Sequence, residues 1–402
     1  MDAFLSALLL QAGYNTALVT IGAALLGGSA GAIGTFVLLR KRSLVSDAIS
    51  HATLPGLCLA FIIMALATGD GRWIAGLMIG AAASAGVGLI LVEWITRRTR
   101  LTEDAAIGAV LAVFFGFGIV LLTVIQSLET GRQAGISGYL VGSTAGMLRS
   151  EAETIAIAAF LSGVAIFALR RPFTLVCFDQ EYAAVRGINV RATDLAMMGL
   201  LLAITVIGLK VAGLVLIVAL TIIPPVAARF WTDRPEPMVI IAAGLGAIAA
   251  YVGAVISSLD HGLPTGALIV LVAFALFIVS LLLSPRHGLL ASALKQRAFQ
   301  TLVHERQGLT ALARGETIYD AFTLKVLKRK DLIRVDGVAT PAGRIAAAAV
   351  MRDEARWSLY RKLFPDDAAS VAHHGIAPIA DTLPADIIAE LDRRLTPHKV
   401  EP

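Results

Sequence analysis

Long apolar runs alternate with short polar breaks along the first 284 residues. A helix needs about 20 mostly apolar residues to cross a bilayer core. Nine runs qualify: 14–39, 46–68, 73–95, 105–126, 152–169, 194–209, 212–229, 238–257 and 264–283. Only Lys210 and its neighbours separate 194–209 from 212–229, so the pattern predicts eight or nine spans. The stretch 134–148 is Gly-rich and less apolar. It reads as a re-entrant or interfacial segment packed against protein, because unpaired backbone cannot face lipid. Gly27, Gly28, Gly31 and Gly34 share one run and predict close helix–helix packing.

The pattern changes after Ser284. Leu324 to Arg329 reads as the end of a helix. Asp331 to Pro341 reads as a β-hairpin with Asp336-Gly337 at the turn. Pro341 then starts a long helix to about Phe364. Helix, hairpin, helix is a winged-helix order.

Composition agrees with a division of the chain. It is 57% hydrophobic and 16% charged, with a mean hydropathy of +0.79. Soluble domains are about 45–50% apolar and about 25% charged. Residues 1–284 hold 31 charged side chains and residues 285–402 hold 32. We therefore expect a transmembrane domain over 1–284 and a soluble domain over 285–402. The net charge of +5 fits basic loops better than a nucleic-acid surface. Cys58 and Cys177 lie in or beside apolar runs and give neither a disulfide framework nor a zinc knuckle. The start, Met1-Asp2-Ala3-Phe4, lacks the basic region of a signal peptide, so the first span is expected to serve as its own targeting signal.

Loop charge sets orientation. With the N-terminus outside, twelve Lys/Arg fall in inside loops, among them Arg40, Lys41, Arg42, Arg97, Arg98, Arg170 and Arg171. Only Arg72, Arg132, Arg149 and Lys210 fall outside. The fold class expected is therefore an all-α polytopic membrane protein of about 8–9 transmembrane helices. It carries a C-terminal cytoplasmic winged-helix-like α+β domain.

Ionisable groups inside spans mark pathways or partners, because they cost free energy there. Asp47 and His51 stand at i and i+4 and share a helix face. A carboxylate with an imidazole suits manganese, iron or zinc. Cys58 follows seven residues on, on the same face, and Pro55-Gly56 could free carbonyls between them. The alternative is plain: Ser46 or Asp47 caps the helix, and His51 hydrogen-bonds a neighbouring helix. Leu101-Thr102-Glu103-Asp104 reads as a capped helix start. In the inside loop after Arg171, Asp179 can cap a short helix that Gly187 ends. Tyr182, Ala183, Val185 and Ile188 would give it an apolar patch, suited either to docking a partner or to lying on lipid headgroups.

These segments resemble those of the metal-ion ABC permeases that import manganese, zinc or iron. The run Ser46-Asp47-Ala48-Ile49-Ser50-His51-Ala52-Thr53-Leu54-Pro55-Gly56 looks like that family's signature in its second helix. Phe178-Asp179-Gln180-Glu181-Tyr182-Ala183 through Gly187 looks like its coupling helix, which docks into a cytoplasmic ATPase. Val211 through Pro225, then Ala228-Arg229, resembles its late-helix motif. The likeness covers about residues 14–284.

The resemblance implies a channel-forming permease of an ATP-driven importer of divalent metal, with manganese first. Zinc or iron import is the alternative. Asp47 and His51 would hold the passing metal. Phe178, Asp179, Glu181, Tyr182, Ala183 and Gly187 would form the ATPase-coupling helix. No cofactor is bound permanently; the metal is cargo. The implied partners are cytoplasmic ATP-binding subunits, an extracytoplasmic metal-binding protein and a second permease subunit, identical or related. The implied place is the bacterial inner membrane. No G-x-x-x-x-G-K-[ST] motif occurs, so if ATP drives transport another subunit must hydrolyse it, and a transport subunit, not an enzyme, is expected.

The tail resembles domains of iron/manganese-dependent repressors through Ala339-Thr340-Pro341-Ala342-Gly343-Arg344, Trp357-Ser358-Leu359-Tyr360-Arg361 and His373-His374. A metal-binding histidine of that pattern is absent around Asp353-Glu354, and a Glu-His pair is missing near Ala380-Asp381. A membrane-anchored metal-responsive regulator, with the tail as output, is the reading from another class, and these missing ligands count against it. DNA contact through Lys325, Lys328, Arg329 and Lys330 ranks below packing on protein or anionic lipid.

Overall fold

The computed structural model describes residues 2–11, 13–68, 73–127, 147–260, 263–365 and 379–395. The chain divides into two compact units, Met1–Ala291 and Ser292–Pro402. The expected segment 134–148 lies outside the described residues except for its last two positions, and His373-His374 lie outside them entirely.

All regular secondary structure among the first unit's described residues is helical. Its helices are α1 (Asp2–Leu8), α2 (Tyr14–Leu39), α3 (Ser43–Thr68), α4 (Ile74–Arg98), α5 (Glu103–Ser127), α6 (Arg149–Phe178), α7 (Gln180–Val185), α8 (Val190–Trp231), α9 (Pro235–Ser257) and α10 (Thr265–Leu283). Eight helical stretches among the described residues are long and apolar enough to cross a membrane. A shorter apolar one, Leu216–Trp231, follows the span Val190–Leu209 within α8. The two are parts of one helix broken at Gly213, where φ is 75° and ψ 168°. A side chain would strain that left-handed backbone, and glycine permits it. The interruption thus sits three residues beyond Lys210, where charge alone suggested a turn.

α2 is the centre of the bundle. Val19, Ala23, Leu26, Ala30, Ile33, Phe36 and Val37 are all buried along it. Its glycines let neighbouring backbones come close: Gly27 faces the Gly246 carbonyl and Gly31 that of Ala242, both on α9, and Gly34 faces Thr221 on α8. A methyl at any of these would meet backbone, as small-residue packing in lipid requires. The same device joins α3 to α4, where Gly56 and Gly80 meet.

The second unit holds α11 (Leu289–Arg314, which begins just before it), α12 (Ala321–Arg329), α13 (Pro341–Leu363), a 3-10 turn (Ile379–Asp381) and α14 (Ala385–Leu395). One small core gathers Leu309, Leu327, Leu332, Ile333 and Ala347. Another gathers Trp357, Tyr360, Ile379, Leu383 and Leu391. The expected hairpin is reduced to one antiparallel bridge, Ile333 to Ala339, around Gly337 at φ 84°. No strand forms among the described residues, so the α+β winged-helix expectation is corrected. The second arm is too short to build a ladder. Thr340 already caps α13, accepting from the Gly343 N–H at 3.0 Å, and Pro341 opens the helix.

Candidate functional site

α3 begins at Ser43, so Asp47 lies in its second turn and is not the helix cap. Asp47 and His51 do share a face: Asp47 Oδ1 is 3.4 Å from His51 Nε2. The His51 ring meets the edge of Phe115 on α5, with centroids 4.8 Å apart. Its Nδ1 is buried and has no hydrogen-bond partner. A buried ring nitrogen left unmatched costs about 1–3 kcal/mol, and the polar contact His51 does make, through Nε2, is to Asp47 on its own helix. Asp47 stays partly open, with 37% of its side chain exposed. Open carboxylate and unmatched imidazole are the donor types that a borderline divalent ion accepts.

Cys58 does not join the pair. It is fully buried, with Sγ 3.8 Å from the Gly118 carbonyl on α5. Seven residues of helix are about 10 Å of rise, too far from His51 to share an ion although the face is the same. Among the described residues no group of three His, Cys, Asp or Glu could hold a metal ion. Asp47 and His51 are thus two donor groups on one helix face, too few for a closed metal cage.

Ser46, next to Asp47, is buried and lies 2.6 Å from the Thr221 hydroxyl on the second half of α8. Thr221 also donates to the Val218 carbonyl at 2.8 Å, which leaves Ser46 as the donor to Thr221. Ser46 and Thr221 belong to two separate sequence motifs, and this bond joins them.

The short helix α7 is closed at both ends. Asp179 Oδ1 accepts from the Tyr182 N–H at 2.9 Å. Gly187, at φ 79°, ends it, with Ile188 N–H donating to the Ala183 carbonyl and Gly187 N–H to that of Ala184. This paired closure needs a left-handed residue, and glycine supplies it. Phe178, Tyr182 and Val185 are exposed, Val185 by 86%. Ala183 is fully buried and anchors α7 to the bundle, which removes it from the expected apolar patch. Glu181 is exposed beside Tyr182.

A charge cluster unforeseen from the sequence lies at the same end. Arg40 holds Asp194 of α8 through two hydrogen bonds of 3.0 and 2.9 Å. These bonds raise the Arg40 pKa against the opposing effect of burial. Arg42 pairs with Glu103 at the start of α5, 2.7 Å away. Glu93 of α4 pairs with Arg97 at 2.8 Å and lies 3.5 Å from Arg191 of α8. The one available signal was an acid, Asp194, within an apolar run. Its partner is 154 residues away in sequence.

The profile described as "ABC 3 transport family" matches residues 14–284. The chain is 38% identical to the manganese transport system membrane protein MntC of Bacillus subtilis over 299 residues, covering 74% of this chain and 67% of that protein. It is 32% identical to the zinc transport system membrane protein TroC of Treponema pallidum, covering 73% and 96%. It resembles the solved structure of PsaBC from Streptococcus pneumoniae in complex with Fab, with a TM-score of 0.62 at 27% identity, covering 74% of this chain and 100% of that one.

Proposed function

The chain belongs to the ABC 3 transport family, and from that premise we propose that it is the channel-forming permease subunit of an ATP-driven importer of divalent metal, with manganese as the cargo ahead of zinc and iron. The observation that carries this reading is the Asp47–His51 pair on α3. It presents a partly open carboxylate and an imidazole whose Nδ1 has no partner, within a membrane-spanning helix. The similarity to MntC and the lower identity to TroC support manganese before zinc. Ligand chemistry alone does not separate the two metals.

Asp47 and His51 hold the ion briefly, and a matching pair from a second permease subunit completes its coordination. The exposed Tyr182 and Val185 of α7, with Phe178 at the end of α6, seat an ATP-binding subunit, with Asp179 and Gly187 fixing the helix and Ala183 its anchor. An extracytoplasmic metal-binding protein delivers the ion. The arginine-rich end of the bundle faces the cytoplasm, the N-terminus faces outside, and the bacterial inner membrane is the setting. The C-terminal unit acts by packing on protein. Its lysines do not read DNA.

The test is uptake by the wild-type chain with its ATP-binding subunit and binding protein, in cells lacking their own importers. Radiolabelled manganese is expected to accumulate, with zinc competing weakly. Accumulation of zinc alone would move the cargo to zinc, and accumulation of no divalent metal would sink the reading.

A further inference from the structure

The turn between α2 and α3 is only three residues long, Arg40, Lys41 and Arg42, and backbone hydrogen bonds close it. Lys41 N–H donates to the Leu38 carbonyl at 2.9 Å and Arg42 N–H to that of Val37 at 3.0 Å. That closure places Lys41 at φ 60°, a left-handed position that usually takes glycine. A lysine there is strained, and strain of this kind persists only where the surroundings over-determine it. Here both flanking arginines reach Asp194, Arg40 at 2.9 Å and Arg42 at 3.8 Å, and Arg42 also holds Glu103 at 2.7 Å.

Arg40 is the hub. Its guanidinium grips Asp194 with both oxygens, at 3.0 and 2.9 Å, and 11% and 15% of the two side chains remain exposed. With the Gln180 amide oriented by its hydrogen bonds, its oxygen accepts from Arg40, from Nη2 at 2.9 Å. Gln180 is the first residue of α7 and Asp194 is in the first turn or so of α8. Three residues after Arg40 the chain enters α3, and four residues later it reaches Asp47. One side chain therefore touches the helix that faces the ATP-binding subunit and stands at the root of the helix that holds the ion.

A largely buried ion pair contributes little net stability, because desolvation offsets attraction. Its planar, two-pronged geometry does fix orientation, which a lysine would not do. We propose that Arg40, clamped by Asp194 and Gln180, is a positioning residue that transmits displacement of α7 into α3 and so sets the Asp47–His51 geometry during ATP turnover. The proposal rests on the permease reading above. It differs from a simple rivet in what it predicts: a rivet changes abundance, whereas a transmitter changes the metal moved per ATP hydrolysed.

The test uses the full chain with its ATP-binding subunit and binding protein in proteoliposomes. Manganese uptake and ATP hydrolysis are read in the same vesicles for wild type, Arg40→Gln, Arg40→Lys and Asp194→Asn. Hydrolysis should stay within about twofold of wild type while metal per ATP falls about tenfold in Arg40→Gln and Asp194→Asn, a usual size for coupling between sites. Arg40→Lys should fall between. An unchanged ratio in both Arg40→Gln and Asp194→Asn, with wild-type uptake intact, overturns the proposal alone. Failure of all three variants to assemble would reduce Arg40 to a structural rivet and overturn it as well. A wild-type complex that moves no divalent metal overturns the permease reading, and the proposal with it.

Discussion

The Ser46 hydroxyl donates to the Thr221 hydroxyl across 2.6 Å, joining α3 to the second half of α8 one residue from Asp47. Both side chains are buried, at 1% and 3% exposure. Thr221→Val keeps the shape and strands the Ser46 hydroxyl, which should cost about 1–3 kcal/mol. Ser46→Ala combined with Thr221→Val should recover part of that loss, because no donor is then left unmatched. Thermal unfolding in detergent checks both. A double variant less stable than Thr221→Val alone would contradict the bond.

Gly31 and Gly163 make opposite predictions from the same substitution. A methyl at Gly31 would run into the Ala242 backbone, whereas nothing lies within 4 Å of one at Gly163. Gly31→Ala should destabilise by about 1–3 kcal/mol through overpacking. Gly163→Ala should be neutral or gain up to about 1 kcal/mol in helix propensity. Equal melting temperatures for the two variants would refute the close α2–α9 contact.

Val185 tests the docking face without disturbing the bundle. It is 86% exposed. Val185→Asp should leave folding intact and reduce co-purification of the ATP-binding subunit about tenfold, the scale of an interface hot spot. Undiminished co-purification would move docking off α7.

The second unit should loosen in acid. The Arg356 guanidinium holds Asp392 through bonds of 2.7 and 2.6 Å and pulls its carboxyl below the usual carboxylate range. A carboxyl depressed by folding stabilises above its unfolded value of about 4, and that contribution fades as pH falls through the lower folded value. Asp392 is 45% exposed, so solvent screening keeps the contribution under about 1 kcal/mol. Hydrogen exchange of α14 in the full chain should accelerate between pH 5 and pH 2.5 after correction for intrinsic rates. Asp392→Asn should flatten that change. Identical pH profiles would remove the pair from the account.

The legible parts of the chain were those that follow local rules. Hydropathy marked the spans, and the i, i+4 spacing placed Asp47 beside His51. Asp179 and Gly187 announced the two ends of α7 through cap chemistry that acts within four residues. Longer-range geometry was not legible. Arg40 and Arg42 counted as loop charge, yet each is tied to a distant acid. Ala183 looked like part of an apolar patch and is instead the residue that faces inward. Asp336-Gly337 signalled a true turn, but the neighbouring Thr340-Pro341 helix start left no length for a sheet. Cys58 shared the His51 face by helical arithmetic, and the rise along α3 kept them apart.

In the proposed function Asp47 and His51 hold the passing ion. Manganese uptake by Asp47→Ala/His51→Ala, measured against wild type at equal membrane abundance and with the same ATP-binding subunit and binding protein, tests it most directly. Uptake is expected to fall to background while the complex still assembles and hydrolyses ATP. Uptake equal to wild type would contradict it and leave the pair a structural feature of α3.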